Sequence, residues 1–187
     1  ALSTQVYAKE LQAQVQKNTA NGNKAVKAAP VQTPSATQAY PEISRLIEYN
    51  RCAEADDKIR QTLNLKPNDI NLLALRTVSL AKQFKLDPAQ KELDKLLKQY
   101  PKNPTLHYAQ GLVYLQRTTS SDVDYIKNTR RLINSAIKEF VTAVTLNTKY
   151  YEAYNAMGVA TLKLGNRADA VDLFNTAIKV NPSFATS

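Results

Sequence analysis

The sequence predicts an all-α fold built from repeated pairs of helices, and three observations support this. The helical spacing of apolar residues is continuous from Tyr40 onward. Pro67 and Pro101 lie 34 residues apart, and each follows an apolar helical run that a ring without an amide hydrogen cannot continue. The 187 residues include only 4 glycines and no tryptophan, which disfavours a turn-rich β-fold.

Two segments precede the helical region. Residues 1–16 have a weak amphipathic pattern at Val6, Leu11 and Val15, whereas residues 17–39 contain almost no large apolar side chains. Because such a stretch buries too little surface to offset its ordering entropy, we predict a flexible linker at 17–39. The helical domain then spans 40–187, with units near 36–69, 70–103, 104–150 and 151–187.

Small and large apolar residues recur at constant distances within the second helix of each unit. A small residue comes first, a larger apolar residue follows four positions later, and proline or its equivalent closes the run. The four sets are Ala55, Ile59 and Pro67; Ala89, Leu93, Leu96 and Pro101; Ala136, Phe140, Ala143 and Thr148; and Ala170, Phe174, Ala177 and Pro182.

This pattern resembles the tetratricopeptide repeat, in which an aromatic residue and an apolar-glycine pair precede the same small, large and proline positions over 34 residues. The last unit matches best, because Tyr154 and Met157-Gly158 fill the first-helix places and Gly165-Asn166 forms the turn. The resemblance covers about 40–187 as three and a half repeats. It implies a right-handed α-solenoid of antiparallel helix pairs.

The third unit contains an insertion. Gly111 and Ala136 are 25 residues apart, whereas Gly158 and Ala170 are 12 apart, so 13 residues are extra. A capping-box pattern at 121–124 predicts a long second helix over roughly 122–146, after a loop at 117–121.

The start of that helix carries the densest basic cluster of the chain, at Lys127, Arg130 and Arg131. The cluster is interpreted either as an anion or partner contact or as a solvated helix face balanced by Asp122 and Asp124. The excess of 25 lysines and arginines over 16 acidic residues is otherwise spread along the chain, which is typical of solvation.

No pattern for catalysis, a cofactor or a metal is found in the sequence. His107 falls at an aromatic place of its repeat, which favours a packed core histidine over a base or a ligand. Cys52 has no histidine near it in the repeat and is interpreted as a buried structural thiol. The chain also contains no glycine-rich phosphate loop. We therefore predict a protein that is not an enzyme and needs no cofactor.

In tetratricopeptide proteins the first helix of each unit lines a concave groove that holds an extended peptide or a helix. Ala74, Tyr108 and Leu112 stand where chaperone adaptors have the charges that grip a terminal carboxylate, so a chaperone tail is not the expected ligand. An apolar groove with polar edges suits an amphipathic helix or a partly apolar strand. The resemblance places these residues in the groove: Asn71, Ala74, Val78, Ala81, Thr105, Tyr108, Leu112, Leu115, Glu152, Asn155, Val159 and Leu162.

Two features suggest further contacts. The segment 1–16 is interpreted as able to dock into its own groove or that of a neighbour, and the last helix lacks the polar capping helix that repeat arrays use. We expect Leu173, Ala177 and Val180 to be exposed on that last helix, which favours self-association or a longer parent chain.

The predicted function is a non-enzymatic protein–protein interaction scaffold or adaptor in a bacterial envelope or secretion-type assembly. Residues 1–8 are compatible with the tail of a secretory signal, which would make the protein periplasmic or secreted, and equally with a frayed terminus. One alternative is a cytoplasmic co-chaperone or regulatory adaptor. Another is a binder of nucleic acid or anionic surfaces through the basic cluster, although nucleic acid is disfavoured without interleaved exposed aromatics. The sequence contains no run of about 18 apolar residues, so no transmembrane segment is predicted.

Overall fold

The computed structural model describes residues 34–119 and 128–182, and within these ranges the chain forms nine α-helices and no β-strand. The predicted segment 1–16, the greater part of the predicted linker and the basic residue Lys127 lie outside the described residues. The helices are α1 Ala36–Ala39, α2 Pro41–Glu48, α3 Cys52–Leu65, α4 Ile70–Lys82, α5 Leu86–Gln99, α6 Pro104–Arg117, α7 Thr129–Leu146, α8 Tyr151–Lys163 and α9 Arg167–Val180.

Helices α2 to α9 form four consecutive pairs, α2–α3, α4–α5, α6–α7 and α8–α9, and each pair packs against the next. Short turns join the two helices of the first, second and fourth pairs. One residue in each of these turns has a positive φ: 60° at Asn50, 60° at Phe84 and 90° at Gly165. Only glycine adopts this left-handed conformation without steric cost. The predicted all-α architecture of antiparallel pairs is confirmed.

The glycines of two first helices allow close packing within the pair. A Cβ atom on Gly111 would lie 2.7 Å from Cδ1 of Phe140, and one on Gly158 would lie 2.7 Å from Cδ1 of Phe174. Each glycine therefore leaves space for the phenylalanine ring of the second helix in the same pair. This packing explains why glycine and phenylalanine recur together in the third and fourth repeats.

The insertion in the third repeat is arranged differently from the prediction. Helix α6 continues through Arg117, where a loop was expected, and is followed by a turn at Thr118 and Thr119. Helix α7 begins at Thr129, with Asn128 at its N-cap, so the expected single helix from about 122 to 146 is wrong. Residues 120–127 lie outside the described residues.

The predicted linker boundary at 39 is also wrong, because Ser35 to Ala39 are part of the folded domain. The Ser35 side chain accepts a hydrogen bond from the Gln38 amide, and the Gln38 side chain accepts one from the Ser35 amide. This reciprocal capping box starts α1. Ser35 and Ala36 are only 2% and 4% exposed. A stretch of small residues is typical of a linker, yet such residues can be buried where polar partners satisfy the hydrogen bonds of their backbone.

Candidate functional site

Three polar residues occupy the same position in successive repeats. Asn71, Thr105 and Glu152 are each the second residue of the first helix, in α4, α6 and α8. Since the helix pairs stack in register, these side chains belong to one surface of the domain. All three are among the residues that the resemblance placed in the groove.

Two of these side chains contact the segment that precedes α1, and the third bonds to one of those two. The Ser35 hydroxyl donates to Oε1 of Glu152 over 2.5 Å, a contact between residues 117 apart in the chain. The Asn71 side-chain amide donates to the Pro34 carbonyl over 3.4 Å, and the Thr105 hydroxyl donates to Oδ1 of Asn71 over 3.2 Å. Pro34 and Ser35 therefore contact two of the residues that are predicted to line the groove.

Aromatic rings pack beside this polar row. The ring centroid of Tyr108 lies 5.1 Å from that of Tyr150 and 5.9 Å from that of Phe140, both in tilted arrangements. Tyr150 has no exposed surface, and burial raises the pKa of its hydroxyl. Sequence reasoning missed Tyr150 because it lies just before α8. The signal was its position directly before Tyr151, in the turn that leads from α7 into α8.

Glu152 is an acidic group in a mostly enclosed position. Its residue is 7% exposed, and burial raises the pKa of its carboxyl group, while the hydrogen bond from Ser35 acts in the opposite direction. A carboxylate so placed depends on hydrogen-bond donors for stabilisation, since water reaches it poorly. The Ser35 hydroxyl is one such donor.

The end of the segment is fastened to the second repeat. The Tyr40 hydroxyl donates to Oδ2 of Asp69 over 2.6 Å, and Oδ1 of the same carboxylate accepts the Asn71 and Leu72 amides at the start of α4. Asp69 thus caps a helix and anchors the chain that leads into α2.

The predicted groove residues become more exposed from the second repeat to the fourth. Ala74, Val78 and Ala81 of the second repeat belong to the buried core that also contains Ala36 and the apolar face of α2. In the fourth repeat Val159 and Leu162 are 39% and 47% exposed. The open part of the surface therefore lies at α8. Of the remaining predicted residues, Ala74, Val78, Ala81 and Thr105 are buried, and Asn71, Tyr108, Leu112, Leu115 and Asn155 are partly exposed.

Comparison with solved structures places this arrangement in a known fold. The structure of TTC0263, a thermophilic TPR (tetratricopeptide repeat) protein of Thermus thermophilus, is similar with a TM-score of 0.61 and 17% sequence identity, over 79% of this chain and 75% of that chain. The fold is a tetratricopeptide-type solenoid. MamA residues 41 to the end from Desulfovibrio magneticus RS-1 align at a TM-score of 0.48 and 16% identity, over 94% of this chain and 96% of that chain. The sequence matches no protein-family model and no curated protein.

The His107 side chain lies between two polar groups rather than in an apolar core. Its Nδ1 lies 2.7 Å from Oε2 of Glu139 on α7, and its Nε2 lies 2.9 Å from the Pro101 carbonyl. The hydrogen bond with Glu139 is the main cause that raises the pKa of His107. Cys52 is a buried free thiol at the start of α3. The hydrogen bond between His107 and Glu139 joins α6 to α7, which is a structural role.

The basic cluster and the last helix were predicted to be exposed. Arg130 and Arg131 are exposed in the first turn of α7, whereas Lys127 lies outside the described residues. On α9 the expectation is wrong for Ala177, which is fully buried, whereas Leu173 and Val180 are partly exposed; the large apolar residues that are exposed there are Val171 and Ile178. Helix α9 packs on α8, its partner in the pair, which is consistent with the burial of Ala177.

Within residues 34–119 and 128–182, no group of three or more histidine, cysteine, aspartate or glutamate side chains is arranged to hold a metal ion. Over the same part of the chain, no helix is both long and apolar enough to span a membrane.

Proposed function

We propose that this solenoid is a non-enzymatic scaffold that binds a segment of another protein on the surface formed by α4, α6 and α8. The observation that carries the proposal is the seating of Pro34 and Ser35 on that surface by Asn71 and Glu152. A surface that fixes backbone and side-chain groups of its own chain has the chemistry to bind a polypeptide. The fold is one in which such binding is the usual role.

The open part of this surface, at Val159 and Leu162, is the proposed contact for an apolar side of the partner. Apolar residues that stay exposed beside a polar row suit an amphipathic helix, which places an apolar face inward and a polar face along the edge. Tyr108 and Leu112 also stay in the proposed site, but both pack against neighbouring side chains.

The test is capture of partners from the native extract with the immobilised full chain. A variant with Val159→Ser and Leu162→Ser removes the apolar contact while the packed residues remain. The matched control is Val171→Ser with Ile178→Ser on α9, whose side chains are 56% and 39% exposed. We expect the first variant to lose partners that the control retains. Recovery of the same partners by both variants would show that the site is elsewhere.

For the compartment, we propose an extracytoplasmic role in a bacterial envelope or secretion-type assembly, with a cytoplasmic adaptor as the alternative. The support is the pattern of small residues near Ala8 and the polar composition of 17–39. Fractionation of the source cells tests it, since recovery with the cytoplasmic fraction would favour the alternative.

A second candidate is contact with an anionic surface through Arg130 and Arg131, which are exposed on α7. Lys127 belongs to the same basic cluster in the sequence. Such binding would weaken with increasing salt. Replacement of the three basic residues by glutamine should abolish binding to anionic vesicles and its salt dependence. Unchanged binding would exclude this contact.

A further inference from the structure

The segment Pro34–Tyr40 lies where the proposed function would place a partner. Its first two residues contact Asn71 and Glu152, which share one repeat position, and its Ala36 is 4% exposed. A partner could not use the same groups until the segment had left. This inference therefore rests on the proposed function and specifies the partner and its competitor.

Departure of the segment breaks the hydrogen bonds of Pro34 and Ser35 and the Tyr40–Asp69 hydrogen bond, but no helix other than α1 has to unwind. Helix α1 has only four residues, too few to be stable away from the surface. Tyr40 separates α1 from α2 with a non-helical backbone (φ −136°, ψ 66°), as expected for a residue that precedes proline. The only apolar side chains of α1 are those of Ala36 and Ala39, so the helix buries little apolar area.

The contacts also define what would replace it. Glu152 requires a hydrogen-bond donor, which Ser35 supplies from the N-cap of a helix. Asn71 requires a carbonyl acceptor, which the residue before that cap supplies. The residue after the cap is alanine and almost fully enclosed, so a larger side chain would not fit. Serine or threonine satisfies the cap and the carboxylate together.

We propose that residues 34–40 are an intramolecular ligand of this surface, and that the partner presents a helix start with serine or threonine at the cap and a small residue after it. The segment and the partner compete for Glu152 and Asn71. Because the segment is tethered next to its site, its effective concentration is about millimolar, and a partner in solution must exceed it.

The experiment uses the full chain and a labelled synthetic peptide of residues 33–40, with binding measured by fluorescence anisotropy. The opening variant is Ser35→Asp, because aspartate keeps the capping ability of serine but places a negative charge against Glu152. The control is Ser35→Thr, which keeps both the cap and the hydroxyl. Far-ultraviolet circular dichroism checks that each variant is folded.

We expect Ser35→Asp to bind the peptide at least about tenfold more tightly than wild type or Ser35→Thr does, because the resident segment no longer competes. A peptide with Ser35→Ala should bind the opened variant about tenfold more weakly, since it lacks the donor to a charged acceptor. Equal affinities for Ser35→Asp and wild type, or no binding to either, would overturn the inference. If partner capture still depends on Val159 and Leu162 in that case, the proposed function stands and only the competition is refuted.

Discussion

The packing of Phe140 on Gly111 leads to a prediction about Gly111→Ala. The added Cβ would lie 2.7 Å from Cδ1 and 2.8 Å from Cζ of Phe140, well inside ordinary contact distance. Phe140 is fully buried and packs on Tyr108, so its ring has no open space to move into. The clash must then be relieved by separation of α6 from α7.

The magnitude follows from two opposing effects. Overpacking of a filled core costs about 1–3 kcal/mol, and the enclosed ring places Gly111→Ala near the upper end. Replacement of a helical glycine by alanine returns about 1 kcal/mol. We therefore expect Gly111→Ala to lower the free energy of unfolding by about 2 kcal/mol.

Gly158→Ala is the matched control in the next repeat. Its Cβ would also meet a ring, at 2.5 Å from Cε1 of Phe174, but Phe174 is partly exposed and can rotate outward. Where rotation relieves the clash, the helix-propensity gain remains, so we expect the unfolding free energy of Gly158→Ala to be unchanged or to rise by up to about 1 kcal/mol. Urea unfolding followed by circular dichroism in the far ultraviolet measures both variants.

A shorter side chain at position 140 tests the cause. In the Gly111→Ala background, Phe140→Leu should cost less stability than it does in the wild type, because it removes part of the clash. Equal stability of the two alanine variants, or a Gly111→Ala protein more stable than wild type, would refute the packing argument.

Two further predictions concern a turn and a titrating group. Phe84→Gly should raise the free energy of unfolding by about 1 kcal/mol, because Phe84 has a φ of 60° and its ring is 57% exposed; urea unfolding that shows no gain would mean that the ring makes compensating contacts. The pKa of His107 is raised in the folded state by Glu139. The stabilisation of the folded state by this histidine is therefore complete below its unfolded pKa, about 6.5, and is lost as pH rises through its folded pKa. Wild type should therefore exceed His107→Gln in stability by more at a pH of about 5.5 than at about 9, and a difference independent of pH would contradict this.

The fold was predictable because its determinants are local and repeated. The pairing of helices is indicated directly by Pro67 and Pro101. It is also indicated by a glycine in one helix that is matched to a phenylalanine in the next. The turn at Phe84 was not predictable from composition, since phenylalanine is not a turn residue. The turn between paired helices has a residue with a positive φ, which is Gly165 in the fourth repeat and Phe84 in the second.

The site was predictable only in part. The resemblance placed Asn71, Thr105 and Glu152 on one surface from their repeat positions alone, and the groove assignment stays a prediction. What covers that surface could not be inferred, because Ser35 and Glu152 are far apart in sequence and a serine among small residues resembles a linker. Contacts of this kind depend on the curvature of the stacked helices, which local patterns do not encode.

The Ser35–Glu152 hydrogen bond also affects how the molecule unfolds. In a solenoid each repeat touches only its neighbours, so terminal repeats can fray independently. Here Ser35 is bonded to the fourth repeat, which closes a chain loop across 117 positions. Loss of α8 therefore removes one of the hydrogen bonds that hold the amino-terminal segment, so fraying of the fourth repeat weakens the docking of that segment as well. Such a distant contact forms late, because the intervening helices must stack before its loop can close.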